Sequence, residues 1–206
     1  MRPRGEHTRA RILCESASVF ARQGYHGTGL SELLSIIGLH KGGFYHHMSS
    51  KEQLLLEIML DPIEQVLVSS RPIVESADRP AVKLEALGLD LGRAITENLA
   101  SWTVFLREYS ALGRDAQAQV LALRRAYLDQ WRAVLTEGMA GGDFREVDLS
   151  FIESVFGLFI YTFIWNGDGA SAEAMTASIM DVLTHGVCAS PELGCASAFA
   201  DRAHQR

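Results

Sequence analysis

The feature that most constrains the fold is a pair of short periodic runs separated by one glycine. Leu30, Leu33, Leu34 and Ile37 recur at helical spacing, Gly38 interrupts, and a second short helix is expected from about His40 to His46. A longer segment, about Thr8 to Gln23, precedes them with Leu13, Ala17 and Phe20 on one stripe and Gly24 just past its end. Two short helices joined by a tight glycine turn, behind a longer helix, form a helix-turn-helix pattern. Its second helix is the one expected in the major groove of DNA.

The stretch from His40 to His47 has chemistry suited to that position. Lys41 can donate to guanine edges or phosphates, and Tyr45, His46 and His47 offer hydroxyl and imidazole donors. Gly42 and Gly43 let a backbone approach the bases, and each costs helix stability. Phe44 is expected to point inward as the anchor of so short a helix. His40 either reads a base or caps the helix. Ser49 and Ser50, with Glu52 and Gln53, offer two overlapping capping boxes that open a further helix from about residue 50. Lys51, in its first turn, is expected to hold a phosphate beside free backbone N–H groups. Thr28 and Ser31, at the start of the second helix, complete the expected DNA-contacting set. The adjacent histidines His46 and His47 point about 100° apart on a helix, which makes a shared metal ion a poor fit. Arg2 and Arg4 lie on an arm that either reaches a minor groove or is disordered.

At these residues the chain is similar to the tetracycline-repressor (TetR) family. The resemblance runs from about Arg9 to Leu56. It includes Phe20, Gly24-Tyr25, Thr28, Gly38-Leu39, Lys41-Gly42, Phe44-Tyr45-His46-His47 and Ser50-Lys51-Glu52-Gln53-Leu54. It implies a three-helix DNA-binding head and a larger helical body holding a ligand cavity, with the last two helices building a homodimer. His40, Gly43, Met48 and Ser35 depart from the usual family residues, which leaves the operator sequence unpredicted.

The remainder carries helical periodicity and no strong strand alternation or internal repeat, so the expected fold is all-α. Pro62 is expected to kink or end the fourth helix, and residues 69–80 read as a connection. Further helices are expected near 80–99, 102–112, 115–139, 148–165 and 171–188. The division expected is a head over 1–52, a ligand-binding and dimerisation body over 53–188, and a flexible tail over 189–206. Val155 to Trp165 is apolar almost all round, which calls for burial on more than one side.

Charge agrees with this division. The whole chain carries −6, yet residues 1–60 hold seven Lys and Arg against five Asp and Glu, a balance of +2. Five of the seven histidines also lie in the first 47 residues. A mildly basic head on an acidic body suits a protein that sets one end on double-stranded DNA.

The body is rich in aromatics. Trp102, Phe105, Tyr109, Trp131, Phe159 and Phe163, with Thr162 and Asn166 as polar neighbours, are the candidate lining for a small hydrophobic ligand. The segment from Tyr127 to Val187 also resembles, more loosely, family members that sense lipids and acyl-CoA thioesters. A body that serves only a protein partner, without an inducer, is the alternative. A helical di-metal enzyme would need Glu three residues before an inward His, and no histidine here has one. The chain also lacks the nucleophile-elbow, phosphate-loop and dinucleotide patterns, so neither an enzyme nor a cofactor is expected. Three cysteines form no disulfide framework or metal pair. No signal peptide or membrane span is expected, which points to the cytoplasm.

Overall fold

The computed structural model describes residues 4–166 and 171–187. Among them the backbone is all-α, as expected. The helices are α1 (Arg4–Gln23), α2 (Leu30–Ile36), α3 (Lys41–His47), α4 (Lys51–Glu75), α5 (Pro80–Glu97), α6 (Leu99–Glu108), α7 (Arg114–Gly141), α8 (Ile152–Asn166) and α9 (Ala172–Val187). Short 3-10 turns over Tyr109–Ala111 and Leu149–Phe151 precede α7 and α8. The tail expected over 189–206 lies outside the described residues, as does the part of the N-terminal arm that holds Arg2.

Proline does not end α4. The helix continues through Pro62 and Pro72 to Glu75, and most of the connection expected over 69–80 is helical. Each proline leaves a carbonyl one turn back without its helical donor, a cost of about 3 kcal/mol inside a helix. Burial offsets it: Leu54, Leu55, Ile58, Met59, Ile63 and Val66 are fully buried along α4. Pro80, by contrast, stands at the first position of α5, where a missing N–H costs nothing.

Two compact units partition the chain. The first joins the residues up to Gln65 with Glu97–Arg124. It therefore contains the whole helix-turn-helix head and is larger than the 1–52 division anticipated, because α6 packs against α1. Its core includes Phe20, Leu33, Phe44 and Trp102, each at most 1% exposed. Polar contacts tie its elements as well: Arg9 pairs with Glu57 at 2.6 Å, and Arg11 donates to the Ile37 carbonyl at the end of α2 at 3.1 Å.

The second unit joins Val66–Thr96 with the residues from Arg125 onward. Helices α8 and α9 pack on each other, and a run of buried rings (Tyr127, Trp131, Phe156, Phe159, Phe163) fills the interior. Lys83 is buried on α5 and reaches Glu137 on α7 at 2.9 Å, while Arg132 on α7 bonds Glu153 on α8 at 3.0 Å. Among the described residues, no helix is long and apolar enough to cross a membrane.

Candidate nucleic-acid interface

The turn between α2 and α3 is built as its sequence requires. Gly38 adopts φ +63°, a left-handed conformation that most side chains resist, and the Leu39 N–H then reaches the Leu34 carbonyl at 2.9 Å. The Ile37 N–H bonds the Leu33 carbonyl at 3.0 Å, closing α2. Leu33, Leu34, Ile37, Phe44 and Met48 are all buried, so the inner faces of both short helices are committed to the core. That commitment fixes what α3 turns outward.

Lys41, Gly42, Tyr45 and His46 are exposed or partly so, and His47 is half-buried. Tyr45 is 54% exposed while its ring sits edge-on to Phe44 at 5.3 Å, so the hydroxyl is held outward by a packed base. The rings of His46 and His47 meet edge-to-face at 4.9 Å. His40 precedes α3 in extended conformation and makes no side-chain cap bond, which leaves its exposed imidazole available. Ser31, in the first turn of α2, is exposed beside it along a groove shared by Ser35, Gly38 and Lys41.

The two glycines of α3 differ. A Cβ on Gly43 would press on Leu39 Cδ1 at 3.2 Å, so the fold itself asks for a small residue there. A Cβ on Gly42 would meet nothing within 4 Å. The fold gives no reason for glycine at position 42, where it costs about 1 kcal/mol of helix stability relative to alanine.

Two residues expected at DNA make contacts within the fold. Thr28 is fully buried: its hydroxyl donates to the Gly24 carbonyl at 2.8 Å and stitches the α1–α2 turn. The Lys51 ammonium donates to the Tyr25 carbonyl at 2.5 Å and lies 4.0 Å from the Tyr25 ring centroid and 5.7 Å from that of Phe20. Burial pushes its pKa below the usual lysine value, against the opposing pull of Glu108. Sequence identifies both residue types, but only packing decides that Thr28 is buried and that Lys51 meets Tyr25. At the start of α4 one half of an anticipated capping box forms, with Ser50 Oγ accepting from the Gln53 N–H at 3.0 Å.

The candidate ligand residues are not all brought into one unit. Trp102 and Phe105, buried and edge-to-face at 5.8 Å, belong with Tyr109 to the first unit, because α6 packs on α1 there. Trp131, Phe159 and Phe163 belong to the second, where Trp131 meets Phe159 at 6.1 Å and Phe159 stacks on Phe163 at 6.4 Å. Thr162 is half-buried on the same helix, and the side chain of Asn166 lies outside the described residues. The sequence places one member of this aromatic interior, Tyr127, outside the candidate lining. Tyr127 meets Trp131 at 6.5 Å and Phe156 at 5.9 Å, and spacing alone marks it only as part of an apolar stripe.

Helices α8 and α9 also carry apolar groups outward. Leu158, Tyr161 and Trp165 are 47%, 54% and 69% exposed along one stripe of α8, and Val182 on α9 is 71% exposed. An open groove between them is lined by Leu158, Thr162, Ser178, Ile179 and Val182. Among the described residues, no group of three or more His, Cys, Asp or Glu side chains is placed to hold a metal ion.

Residues 12–58 match the family described as bacterial regulatory proteins, tetR family, and residues 77–187 match the tetracyclin repressor-like C-terminal domain. The chain is 29% identical over 145 residues to the HTH-type transcriptional repressor KstR2 of Mycolicibacterium smegmatis, covering 68% of this chain and 71% of that one. The crystal structure of PfmR, a TetR family regulator from Thermus thermophilus, superposes with a TM-score of 0.79 at 30% identity, covering 85% of this chain and 97% of that one. AibR, solved in complex with isovaleryl coenzyme A and operator DNA, superposes with a TM-score of 0.73 at 22% identity, covering 84% and 96%.

Proposed function

Because the chain belongs to the tetR family of bacterial regulatory proteins, and is thus a DNA-binding transcriptional regulator rather than an enzyme, we propose that it is a cytoplasmic repressor released from a palindromic operator by a hydrophobic ligand. The observation that carries the DNA-reading face is Gly42. It is exposed, sterically unconstrained and unfavourable for the helix it occupies, between Lys41 and Tyr45 on the outer face of α3. His40, Lys41, Gly42, Tyr45, His46 and His47, with Ser31 from α2, form the contacting set. Lys41 donates to base edges or phosphates, and the hydroxyl and imidazoles position the helix on the backbone.

Two copies associate through α8 and α9. The stripe of Leu158, Tyr161 and Trp165 with Val182 is a contiguous apolar surface of the kind that marks an interface, and it accounts for the all-round apolar character of α8. A symmetric pair presents two reading helices, so the operator has two-fold symmetry with half-sites about one helical turn apart or somewhat more. The ligand occupies the aromatic interior of the second unit around Trp131, Phe159 and Phe163. The AibR complex with isovaleryl coenzyme A makes an acyl-type molecule the first class to try. The test is selection of the operator from random DNA, then titration of the complex with acyl-CoA thioesters. A selected palindrome released by one member supports the reading, and no enriched sequence removes it.

A further inference from the structure

Two polar atoms in the second unit are buried without a hydrogen-bond partner: the Tyr127 hydroxyl and the Trp131 indole N–H. Their residues are 0% and 1% exposed. They stand one turn apart on α7, with ring centroids 6.5 Å apart, and the indole acts on the tyrosine hydroxyl, lowering its pKa against the larger effect of burial. Unmet buried donors destabilise a fold, and a protein with no use for them replaces them with phenylalanine or leucine. The Trp131 ring is surrounded by rings and hydrocarbon, while the charge of Asp90 acts on the Tyr127 hydroxyl. Beside Trp131 runs a narrow void, lined by Leu91, Leu128, Ile152, Val155 and Phe156, with no room for a water to serve the indole.

We infer that Tyr127 and Trp131 form a paired donor for the carbonyl oxygen of a ligand whose buried portion is uncharged and hydrophobic. The inference rests on the ligand-responsive reading above and names the group that the ligand must present. The donor inventory decides the class. An indole N–H only donates, and a tyrosine hydroxyl freed from any protein acceptor has its proton to give, so the missing component is an acceptor. The lining of the void holds no cation to neutralise a carboxylate, and an uncompensated charge there would be costly. A ketone or a thioester meets the requirement: one oxygen with two lone pairs, on an otherwise apolar body that enters as the side chains lining the void move apart. Phe156 and Phe159, which contact the two donors edge-on or tilted, hold the rings in the orientation from which they donate.

The experiment uses two matched pairs of probes with the full-length protein: octanoyl-CoA against its thioether S-octyl-CoA, and progesterone against the parent hydrocarbon pregnane. The pairs separate a thioester from a fused-ring ketone as the source of the carbonyl. Calorimetry on wild type should show one carbonyl compound binding roughly tenfold or more tighter than its partner, the yield of one or two well-formed buried hydrogen bonds. Tyr127→Phe should reduce that preference to about twofold or less, and Trp131→Phe should reduce it in part. The unliganded Tyr127→Phe protein should keep or raise its Tm, because it loses an unmet hydroxyl. A drop of several degrees in that unliganded Tm would mean the hydroxyl has a protein partner, and would overturn the inference. So would a carbonyl preference that survives Tyr127→Phe, or wild-type binding with no preference within either pair; in these cases the ligand-responsive reading stands. Absence of binding by all four probes would remove the inference and that reading together.

Discussion

The ammonium of Lys51 is held 4.0 Å from the centroid of the Tyr25 ring while donating to the Tyr25 carbonyl at 2.5 Å. One side chain from the first turn of α4 thereby anchors the turn that follows α1, and its charge is engaged by a ring face and a carbonyl. Lys51→Ala should cost about 1–2 kcal/mol of stability, from one charge-assisted bond and one cation–π contact. Chemical denaturation measures it. The same variant should leave the salt dependence of DNA binding unchanged, and a reduced slope would return Lys51 to the DNA surface.

Lys41 gives the contrasting outcome. It is exposed at the start of α3, so Lys41→Ala should not alter stability. It should lower the slope of log affinity against log salt by about 1–2 units, because each subunit of a dimer then neutralises one phosphate fewer. If the ammonium reads a guanine instead, base preference should relax. Binding across a salt titration, on operator and on scrambled DNA, separates these from no effect.

Gly42→Ala should stabilise the protein by about 0.5–1 kcal/mol, since the added methyl meets nothing within 4 Å and alanine favours the helix. It should nonetheless weaken operator binding at least several-fold, by keeping the α3 backbone from the bases. A variant more stable and equally tight in binding would show that the glycine has no part in recognition.

These residues show how far the sequence could be read. The paired helices, the Gly38 turn and the Ser50 cap were legible because each rests on local spacing and backbone preference, which a string of residues displays directly. The burial of Thr28 and the contact of Lys51 with Tyr25 were not legible, because chemistry names what a side chain offers but not which protein groups it meets. Pro62 misled because its local penalty is visible in sequence, while the buried stripe from Leu54 to Val66 that outweighs it is a tertiary fact. Tyr127 passed as one more apolar stripe residue. Its hydroxyl becomes notable only when the fold is seen to leave it without a partner.

Neighbouring residues on α8 should behave oppositely. Leu158 is 47% exposed and lies on the stripe with Trp165, whereas Phe159 is fully buried. Leu158→Asp should leave each subunit folded by circular dichroism and weaken self-association by about 2–5 kcal/mol, the effect of an unpaired charge in a buried interface. Phe159→Asp should unfold the second unit. Analytical ultracentrifugation at micromolar concentration reads the first effect, and an undisturbed dimer in Leu158→Asp would place the interface elsewhere.

Alkaline titration offers a separate handle on Tyr127. Burial, with the Asp90 charge adding to it, raises its pKa well above the ordinary value of 10.0, against the opposing influence of the Trp131 indole. In the unfolded chain the same hydroxyl ionises near 10. A group whose folded pKa is raised contributes stability that is fully present below the unfolded value and lost as pH climbs above it, because the unfolded state then releases a proton that the folded state retains. From about pH 10 upward, Tyr127 should therefore withdraw about 1.4 kcal/mol of stability per pH unit. Tyr127→Phe removes that one proton and leaves the other alkaline groups in place. The difference in unfolding free energy between variant and wild type should be nearly flat from about pH 7 to about 9.5, then rise in favour of the variant by about that increment. Denaturation curves for both proteins up to about pH 11 measure it, and parallel curves throughout would mean that the hydroxyl is open to solvent and is not a buried donor.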